Sequence, residues 1–287
     1  MLHTQFGSAS AICRDGARSH HRSAVVRVIV SSTRPPSAPK PPGAPRLGPI
    51  HVRHAALPDL STSARLHLEA LPVGLFPQLG YRFLRRWHAS FVARPHAVAF
   101  VAADADQNIL GFLLGTLDHR AHLSQVLRDR RTVVSLAAHG FIALAVRPRL
   151  AARFVRTRAR PWCSAVSELL SLRPPKARRN HSSAREPADA TAVLVAIAVD
   201  PTQRGHGIGA QLTVAFETAA SRYGTPTAEL VTAVGDDDSD SSHGFYDRLG
   251  WIPARVYLDR DGCRMQVYHR SLPATAPASN SNKAGTT

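Results

Sequence analysis

The 287-residue chain is 44% hydrophobic, enough to bury one substantial core, and it carries a formal net charge of +16. Its positive charge is concentrated in residues 1–48 and 120–185, whereas residues 186–271 hold 7 basic and 12 acidic residues. The basic stretches contain no zinc-finger spacing, aromatic RNA-binding signature or heptad pattern, which argues against a nucleic-acid-binding protein.

Cysteine spacing, histidine spacing and the lengths of the apolar runs exclude further classes. The cysteines Cys13, Cys163 and Cys263 are scattered, and neither they nor the 15 histidines show metal-ligand or redox spacing. We therefore expect no metal site and a reducing, cytoplasmic environment. No apolar run reaches the roughly 18 to 20 residues that a membrane-spanning helix needs, so we expect a soluble protein.

The two ends of the chain differ in composition from its middle. Residues 1–48 end in the Pro-rich basic stretch SSTRPPSAPKPPGAPRLG, which cannot pack a core. We expect a disordered extension there, or a start site assigned too far upstream. A folded domain is predicted over 49–271, with a basic insertion at 119–190, and a disordered tail over 272–287.

The first third of this domain predicts a short opening strand, two helices and a two-stranded hairpin, in that order. PIHVRHA (49–55) alternates like a strand, and a helix follows over about 58–70, with Asp59 or Ser61 as its candidate N-cap. Residues 76–94 predict one helix, and 96–118 a hairpin. The face of the 76–94 helix carries apolar residues at intervals of four: Leu79, Phe83, Trp87 and Phe91.

The insertion contains VVSLAAHGFIALAV (133–146), which is followed by the arginine-rich stretch RPRLAARFVRTRARPW. Fourteen apolar-dominated residues suit a buried or interfacial helix better than a spanning one. One hypothesis places the arginines on the phosphates of an anionic surface, through 120–185, or of a substrate. The simpler hypothesis, which we favour, is an insertion helix with a solvated cationic face. Residues 173–190 read as a polar loop.

From residue 191 onwards, strand patterns and helix patterns follow one another regularly along the sequence. AVLVAIAVD predicts a strand buried on both faces, and the glycine turn QRGHGIGAQL (203–212) leads into a helix that ends at Gly224. A strand at 228–234, a short helix through HGFYDRLG and a closing antiparallel pair of strands complete the order. The predicted fold class is α/β with a mixed central sheet flanked by helices.

The glycine turn predicts a phosphate site, because unpaired N–H groups and the positive end of a helix dipole meet there. A Walker A loop is excluded, since no lysine lies between 177 and 282. A dinucleotide fingerprint fits formally as GxGxxA. However, five residues separate the strand from Gly205, and Glu229 begins the next strand instead of ending it.

Two motifs carry a family resemblance. Arg204-Gly205-His206-Gly207-Ile208-Gly209 follows IAVDP, and SDSSHGFYDRLGW (239–251) matches NxxAxxFYxxxGF, except that Ser239 and Ser242 replace Asn and Ala. Over about 50–270 the chain resembles the GNAT superfamily of N-acetyltransferases. The helix over 76–94 with the basic insertion also looks like a bacterial subset linked to sugar or polysaccharide modification.

The resemblance implies a GNAT fold and acetyl-CoA as acetyl donor. It implies that the N–H groups from Gly205 to Ala210 bind the pyrophosphate, while a splayed strand pairs with the pantetheine amides and Val199 N–H binds the oxyanion. Arg204 would contact a phosphate or be a solvated turn residue. The implied cofactor-binding set is Ile197, Ala198, Val199, Arg204, Gly205, His206, Gly207, Ile208, Gly209 and Ala210.

The resemblance implies that Tyr246 is the general acid that protonates the leaving thiolate. The alternative is that Tyr246 is a core aromatic beside Phe245. No ionisable side chain lies in AVLVAIAV, and Asp200 suits a turn former. We therefore expect amine deprotonation through water, or an amine that is already neutral. The expected function is direct acetyl transfer to a primary amine of a small molecule or peptide, by a monomer or homodimer. The alternative is a non-catalytic acyl-CoA sensor.

Overall fold

The computed structural model describes residues 48–72, 74–156, 190–234, 241–259 and 261–273, with the side chains of 241–243 left out. The predicted N-terminal extension up to residue 47 and the C-terminal tail from residue 274 lie outside the described residues. So does the 157–189 part of the predicted insertion.

Within these described ranges, seven strands form one mixed sheet in the order β1-β2-β3-β4-β5-β7-β6. Every neighbouring pair is antiparallel except β4 and β5, which are parallel. This topology confirms the predicted α/β class with a mixed central sheet. The strands are β1 (His51–His54), β2 (Ala97–Ala103), β3 (Ile109–Thr116), β4 (Thr191–Val199), β5 (Thr227–Ala233), β6 (Ile252–Leu258) and β7 (Arg264–Ser271).

Helices cover both faces of this sheet, and each face has its own apolar core. One core includes Phe216 of α6 and Leu194 of β4, and the other joins Phe83 of α3 to Val195 of β4. Residues 148–156 are also helical. The helices are α1 (Leu60–Ala70), α2 (Leu75–Gln78), α3 (Tyr81–Ala89), α4 (His119–Arg128), α5 (Arg130–Ala145), α6 (Ile208–Tyr223) and α7 (Ser241–Arg248).

The prediction of one helix over 76–94 is wrong in its bounds. The segment forms α2 and α3, which are separated at Gly80, where φ is +88°. A positive φ is incompatible with a continuing right-handed helix and is readily adopted by glycine. The predicted buried face is nevertheless confirmed, because all four of its residues are buried: Leu79, Phe83, Trp87 and Phe91.

Asp59 does not cap α1 with its side chain, contrary to one of the two predicted caps. Its carboxylate instead accepts a hydrogen bond from Ala56 N–H at 2.8 Å and pairs with Arg53 at 2.6 Å. The hydrogen bond from Arg53 lowers the pKa of Asp59. This pair ties the end of β1 to the 3₁₀ turn that precedes α1.

Helix α6 packs closely on β3 because two glycines on that strand leave room for it. A Cβ atom at Gly111 would lie 3.0 Å from Ala198 O and 3.3 Å from the Leu212 side chain. At Gly115 a Cβ would lie 2.6 Å from two ring carbons of Phe216, which is fully buried. The absence of side chains at these positions sets the height of α6 above the sheet.

Replacement of Gly115 by alanine should therefore lower the free energy of unfolding by about 2 kcal/mol, because the rigid Phe216 ring must shift to admit a methyl group. Urea denaturation measures the change. The matched control is Gly140→Ala in α5, where the added Cβ would meet Phe83 at an ordinary 3.8 Å. That control should be neutral or stabilising by about 0.5–1 kcal/mol, as expected for glycine to alanine inside a helix. Equal stability of the two variants would contradict the close approach.

Candidate functional site

The parallel strands β4 and β5 part halfway along their length. Their pairing runs from Thr191 opposite Thr227 to Leu194 opposite Leu230 and goes no further, although β4 continues to Val199. Beyond this point β5 still pairs with β7, as far as Ala233 opposite Met265. The half of β4 after Leu194 therefore has backbone groups on its β5 side that β5 does not use.

A β-bulge at Val195 marks the point where the strands part. The pairing of β3 with β4 changes from Leu114 opposite Ala196 to Gly115 opposite Leu194, which leaves Val195 without a partner on β3. An extra residue in one strand bends it and increases its local twist. The bulge thus turns the end of β4 away from β5 while β4 keeps its pairing with β3.

The glycine turn follows directly and is held by Asp200. The Asp200 carboxylate accepts hydrogen bonds from the Thr202 backbone N–H at 2.8 Å and from its hydroxyl at 2.7 Å. This confirms Asp200 as a turn former. Gly205 and Gly207 then adopt φ values of +84° and +76°, with open space where a Cβ would stand. Their requirement for glycine is therefore one of backbone conformation.

The N-terminus of α6 presents its first N–H groups at this turn. The first recorded bond of the helix runs from Gln211 N–H to Gly207 C=O at 3.0 Å. The N–H groups of residues 208–210 precede it and have no partner four residues back within the helix. With 16 residues α6 is about 24 Å long. Because the exposed glycine turn directly precedes its first residue, the positive end of the helix dipole lies at that turn.

The predicted cofactor-binding residues thus lie on one continuous edge, the end of β4 and the start of α6. Their burial differs along it: Ile197, Ala198 and Ile208 are buried, Val199, Arg204, Gly209 and Ala210 are half-buried, and Gly205, His206 and Gly207 are exposed. His206 Nδ1 lies 3.1 Å from Gln203 O, within the turn.

Helix α7 meets the N-terminus of α6 at Gly209. A Cβ there would lie 3.2 Å from the Phe245 ring, so glycine allows the two helices to approach. The Phe245 and Tyr246 ring centroids are 5.1 Å apart. Tyr246 is the more deeply buried of the two, with 0% of its surface exposed, and it packs against Tyr268 and Trp251.

The Tyr246 hydroxyl is buried and has no hydrogen-bond partner among the described residues. Burial raises the pKa of this phenol well above its usual value. A buried hydroxyl without a partner is rare, because it has lost its hydrogen bonds to water without replacement. The hydroxyl is therefore a donor that lacks an acceptor within the described chain.

A half-buried ion pair, which no local sequence pattern indicates, ties β7 and the end of α7 to α6. Trp251 donates its ring N–H to Glu217 at 2.9 Å, and the other Glu217 oxygen lies 3.1 Å from Arg270 Nε. Arg270 also donates to Leu249 O at the end of α7. Burial raises the pKa of Glu217, and the Arg270 charge opposes that rise.

A second buried polar cluster lies between α1 and α3, on the other face of the sheet. Ser63 Oγ lies 3.0 Å from His88 Nδ1, and His88 Nε2 lies 3.0 Å from His67 Nδ1. Both imidazole rings pack on Phe112 of β3. Desolvation lowers the pKa of His67 to about 3 and that of His88 well below its usual value.

Glu229 lies on the half of β5 that is paired with β4, opposite Val193, and its carboxylate is 3.6 Å from His269 of β7. The acidic residues Asp236, Asp237, Asp238 and Asp240 lie outside the described residues. In the part of the chain that the structure describes, no three metal-ligand side chains come together.

A known protein family matches the segment that contains this site. Residues 176–251 match the Acetyltransferase (GNAT) family, and this range includes β4, the glycine turn and Tyr246. The matched segment is therefore similar to the family that the two motifs resemble. The narrower likeness to a sugar- or polysaccharide-modifying subset has no counterpart in the match.

The chain is also similar to several solved structures at low sequence identity. They include a GCN5-related N-acetyltransferase from Kribbella flavida (15% identity, TM-score 0.47, covering 78% of this chain and 98% of that chain). Ard1 from Thermoplasma volcanium is similar at 14% identity and TM-score 0.43, with 78% and 98% covered. The ribosomal-protein-S18-alanine N-acetyltransferase from Escherichia coli is similar at 13% and 0.40, with 80% and 97% covered. No curated protein matches the chain.

The buried histidines make stability depend on pH. Their pKa values are lower in the folded than in the unfolded chain, so the unfolded chain binds more protons below about pH 6.5. Stability should be greatest above that pH and fall towards pH 3, by about 1.4 kcal/mol per pH unit for each histidine that stays neutral. Urea denaturation between pH 7 and 5 measures this slope.

The comparison variant is His67→Leu/His88→Leu, which should show a much flatter dependence over the same range. His51→Gln, at an exposed position on β1, is the control and should keep the slope of the original protein. If the double variant kept the full slope, the acid sensitivity would arise elsewhere in the chain.

Proposed function

We propose that this protein transfers an acetyl group from acetyl-CoA to a primary amine, by direct attack of the amine on the thioester. The observation that carries the proposal is the parting of β4 from β5 immediately before an exposed glycine turn at a helix N-terminus. This arrangement offers strand-type hydrogen bonds and an anion site side by side. An acyl donor with amide groups and a pyrophosphate needs both.

The donor would be held by the backbone of this edge. The N–H groups from Gly205 to Ala210 would bind the pyrophosphate, since residues 205–207 form the exposed turn and residues 208–210 open the helix, where their N–H groups have no helical partner. The unused backbone groups of residues 197–199 would pair with the pantetheine amides, as an added strand would. Arg204, half-buried beside the turn, would place its guanidinium on a phosphate.

Two groups would act on the reacting atoms. Val199 N–H would donate to the oxygen that gains charge as the amine nitrogen bonds to the acetyl carbon. Tyr246 would give its proton to the sulfur as the C–S bond breaks. Its raised pKa keeps the phenol protonated at neutral pH, and its hydroxyl has no acceptor among the described residues. Because none of the Tyr246 surface is exposed, the bound thioester would have to displace part of the cover of this ring before its sulfur supplied that acceptor.

The amine must lose a proton for this attack to occur. The strand from Ala192 to Val199 carries no ionisable side chain, and Asp200 is engaged in its turn. We therefore propose that water takes the proton or that the amine enters neutral. The acceptor is a primary amine of a small molecule, such as an amino sugar, or of a peptide.

Tyr246→Phe should lower kcat by about 100-fold, the usual effect of removing a general acid, with acetyl-CoA affinity unchanged. The measurement is release of free CoA from acetyl-CoA over a panel of amino sugars, amino acids, polyamines and peptides. Tyr223→Phe is the control, because it removes a hydroxyl at the opposite end of α6 that bonds to His96 at 2.6 Å. It should leave kcat unchanged.

An unaltered kcat in Tyr246→Phe would make Tyr246 a core aromatic only. If the protein bound acetyl-CoA but released no CoA with any amine of the panel, it would be an acyl-CoA sensor. The first result would contradict the role of Tyr246 as general acid, and the second would contradict acetyl transfer itself.

Gly207→Ala should weaken acetyl-CoA binding about tenfold or more, because a φ of +76° is strained with a Cβ and relief of the strain moves the N–H groups of the turn. Calorimetric titration with acetyl-CoA measures the affinity. The matched control is Gly224→Ala, which has a φ of +87° at the other end of the same helix. It should lose similar stability and keep its affinity, whereas an equal loss of affinity in both variants would point to general destabilisation.

A further inference from the structure

Helix α5 has an apolar face that no described residue covers. Phe141 is 74% exposed and Val146, at the C-terminal end, is 71% exposed. Val134 and Ile142 are exposed to a similar degree. Spacings of seven, eight and twelve residues from Val134 place these side chains on one side of a helix. Large apolar side chains exposed together on one face commonly mark an interaction surface.

The opposite face of α5 is the one that docks on the domain. Its buried residues are Thr132, Gly140 and Ala143, and the Thr132 hydroxyl donates to Asp129 at 2.8 Å. Gly140 lies over the Phe83 ring of α3. The helix is therefore attached through one side and holds its apolar side away from the domain.

The chain segment that contains α5 is rich in arginine. Residues 119–156 contain eight arginines and one acidic residue, Asp129. That carboxylate is already paired, at 2.7 Å, with Arg94. The exposed arginines of α5 and of the segments that flank it in the chain are Arg128, Arg130, Arg131, Arg147, Arg149 and Arg156. The surface thus combines exposed apolar side chains with a strong positive potential.

We propose that this α5 face docks on an anionic lipid bilayer surface, with the helix lying in the plane of the interface. Phe141, Ile142 and Val146 would enter the boundary between headgroups and acyl chains, and the arginines would bind lipid phosphates. With 16 residues α5 is about 24 Å long, shorter than the ~30 Å hydrocarbon core. None of the described helices is long and apolar enough to span a bilayer.

Charge favours the bilayer over a second copy of the chain. A symmetric dimer through this face would bring the same patch of each copy together and oppose arginine to arginine, which costs free energy. An anionic bilayer offers phosphates to those arginines and an apolar interior to Phe141. The proposal does not depend on acetyl transfer, because neither the glycine turn nor Tyr246 belongs to this face.

Cosedimentation of the full chain with vesicles tests the proposal. The protein should bind vesicles of phosphatidylcholine with 30% phosphatidylglycerol, bind pure phosphatidylcholine at least tenfold more weakly, and dissociate as salt rises. Phe141→Ser/Ile142→Ser should lower the partition constant at least about tenfold. Arg130→Gln/Arg131→Gln should lower it as well, and only for the anionic vesicles.

The matched control is Leu57→Ser/Val214→Ser, which changes two exposed apolar residues elsewhere on the surface and should bind as the original protein does. Absence of binding to anionic vesicles would overturn the proposal, as would equal binding by Phe141→Ser/Ile142→Ser. Concentration-dependent dimerisation that this double variant abolishes, without vesicle binding, would assign the face to a second copy.

Discussion

The candidate site depends on Val195, a residue of β4 that has no partner on β3. Because Val195 is an extra residue relative to β3, β4 keeps its antiparallel pairing on one side and leaves its parallel partner on the other. The bulge also shifts the alternation of side chains. Leu194 and Ile197 face the α6 core, and Val195, Ala196 and Ala198 face the α1–α3 core. A cleft thus opens within the sheet while both faces stay packed.

Glycines serve the fold in two physically different ways. Gly111, Gly115 and Gly209 lack a side chain where another element comes into contact, so they set the distances from α6 to β3 and α7. Gly205 and Gly207 have free space around them and are needed for their left-handed backbone. The first kind fixes where the N-terminus of α6 stands, and the second kind shapes the loop that leads to it.

The sequence predicts the elements from 191 onwards well, because the glycine turn and the period of α6 are local patterns. It could not predict the bulge, since AVLVAIAV carries no glycine or polar residue at Val195 that marks it. The break at Gly80 was hidden by an apolar face that continues through it. The contact between His67 and His88 joins two different helices, so no local sequence pattern could predict it. The motif singles out Tyr246 as a candidate residue, but its complete burial depends on Trp251 and Tyr268, which follow later in the chain.

The contact between His67 and His88 couples the tautomers of the two rings. Only one hydrogen fits between His67 Nδ1 and His88 Nε2, so one ring must donate and the other accept. At the far end, the Ser63 hydroxyl either donates to His88 or turns to Leu60 O at 3.4 Å. When both rings are neutral, the direction of one hydrogen bond sets that of the next. The positions of the heavy atoms between α1 and α3 are thus compatible with two arrangements of the hydrogens, in which the hydrogen bonds run in opposite directions. The two rings change tautomer together.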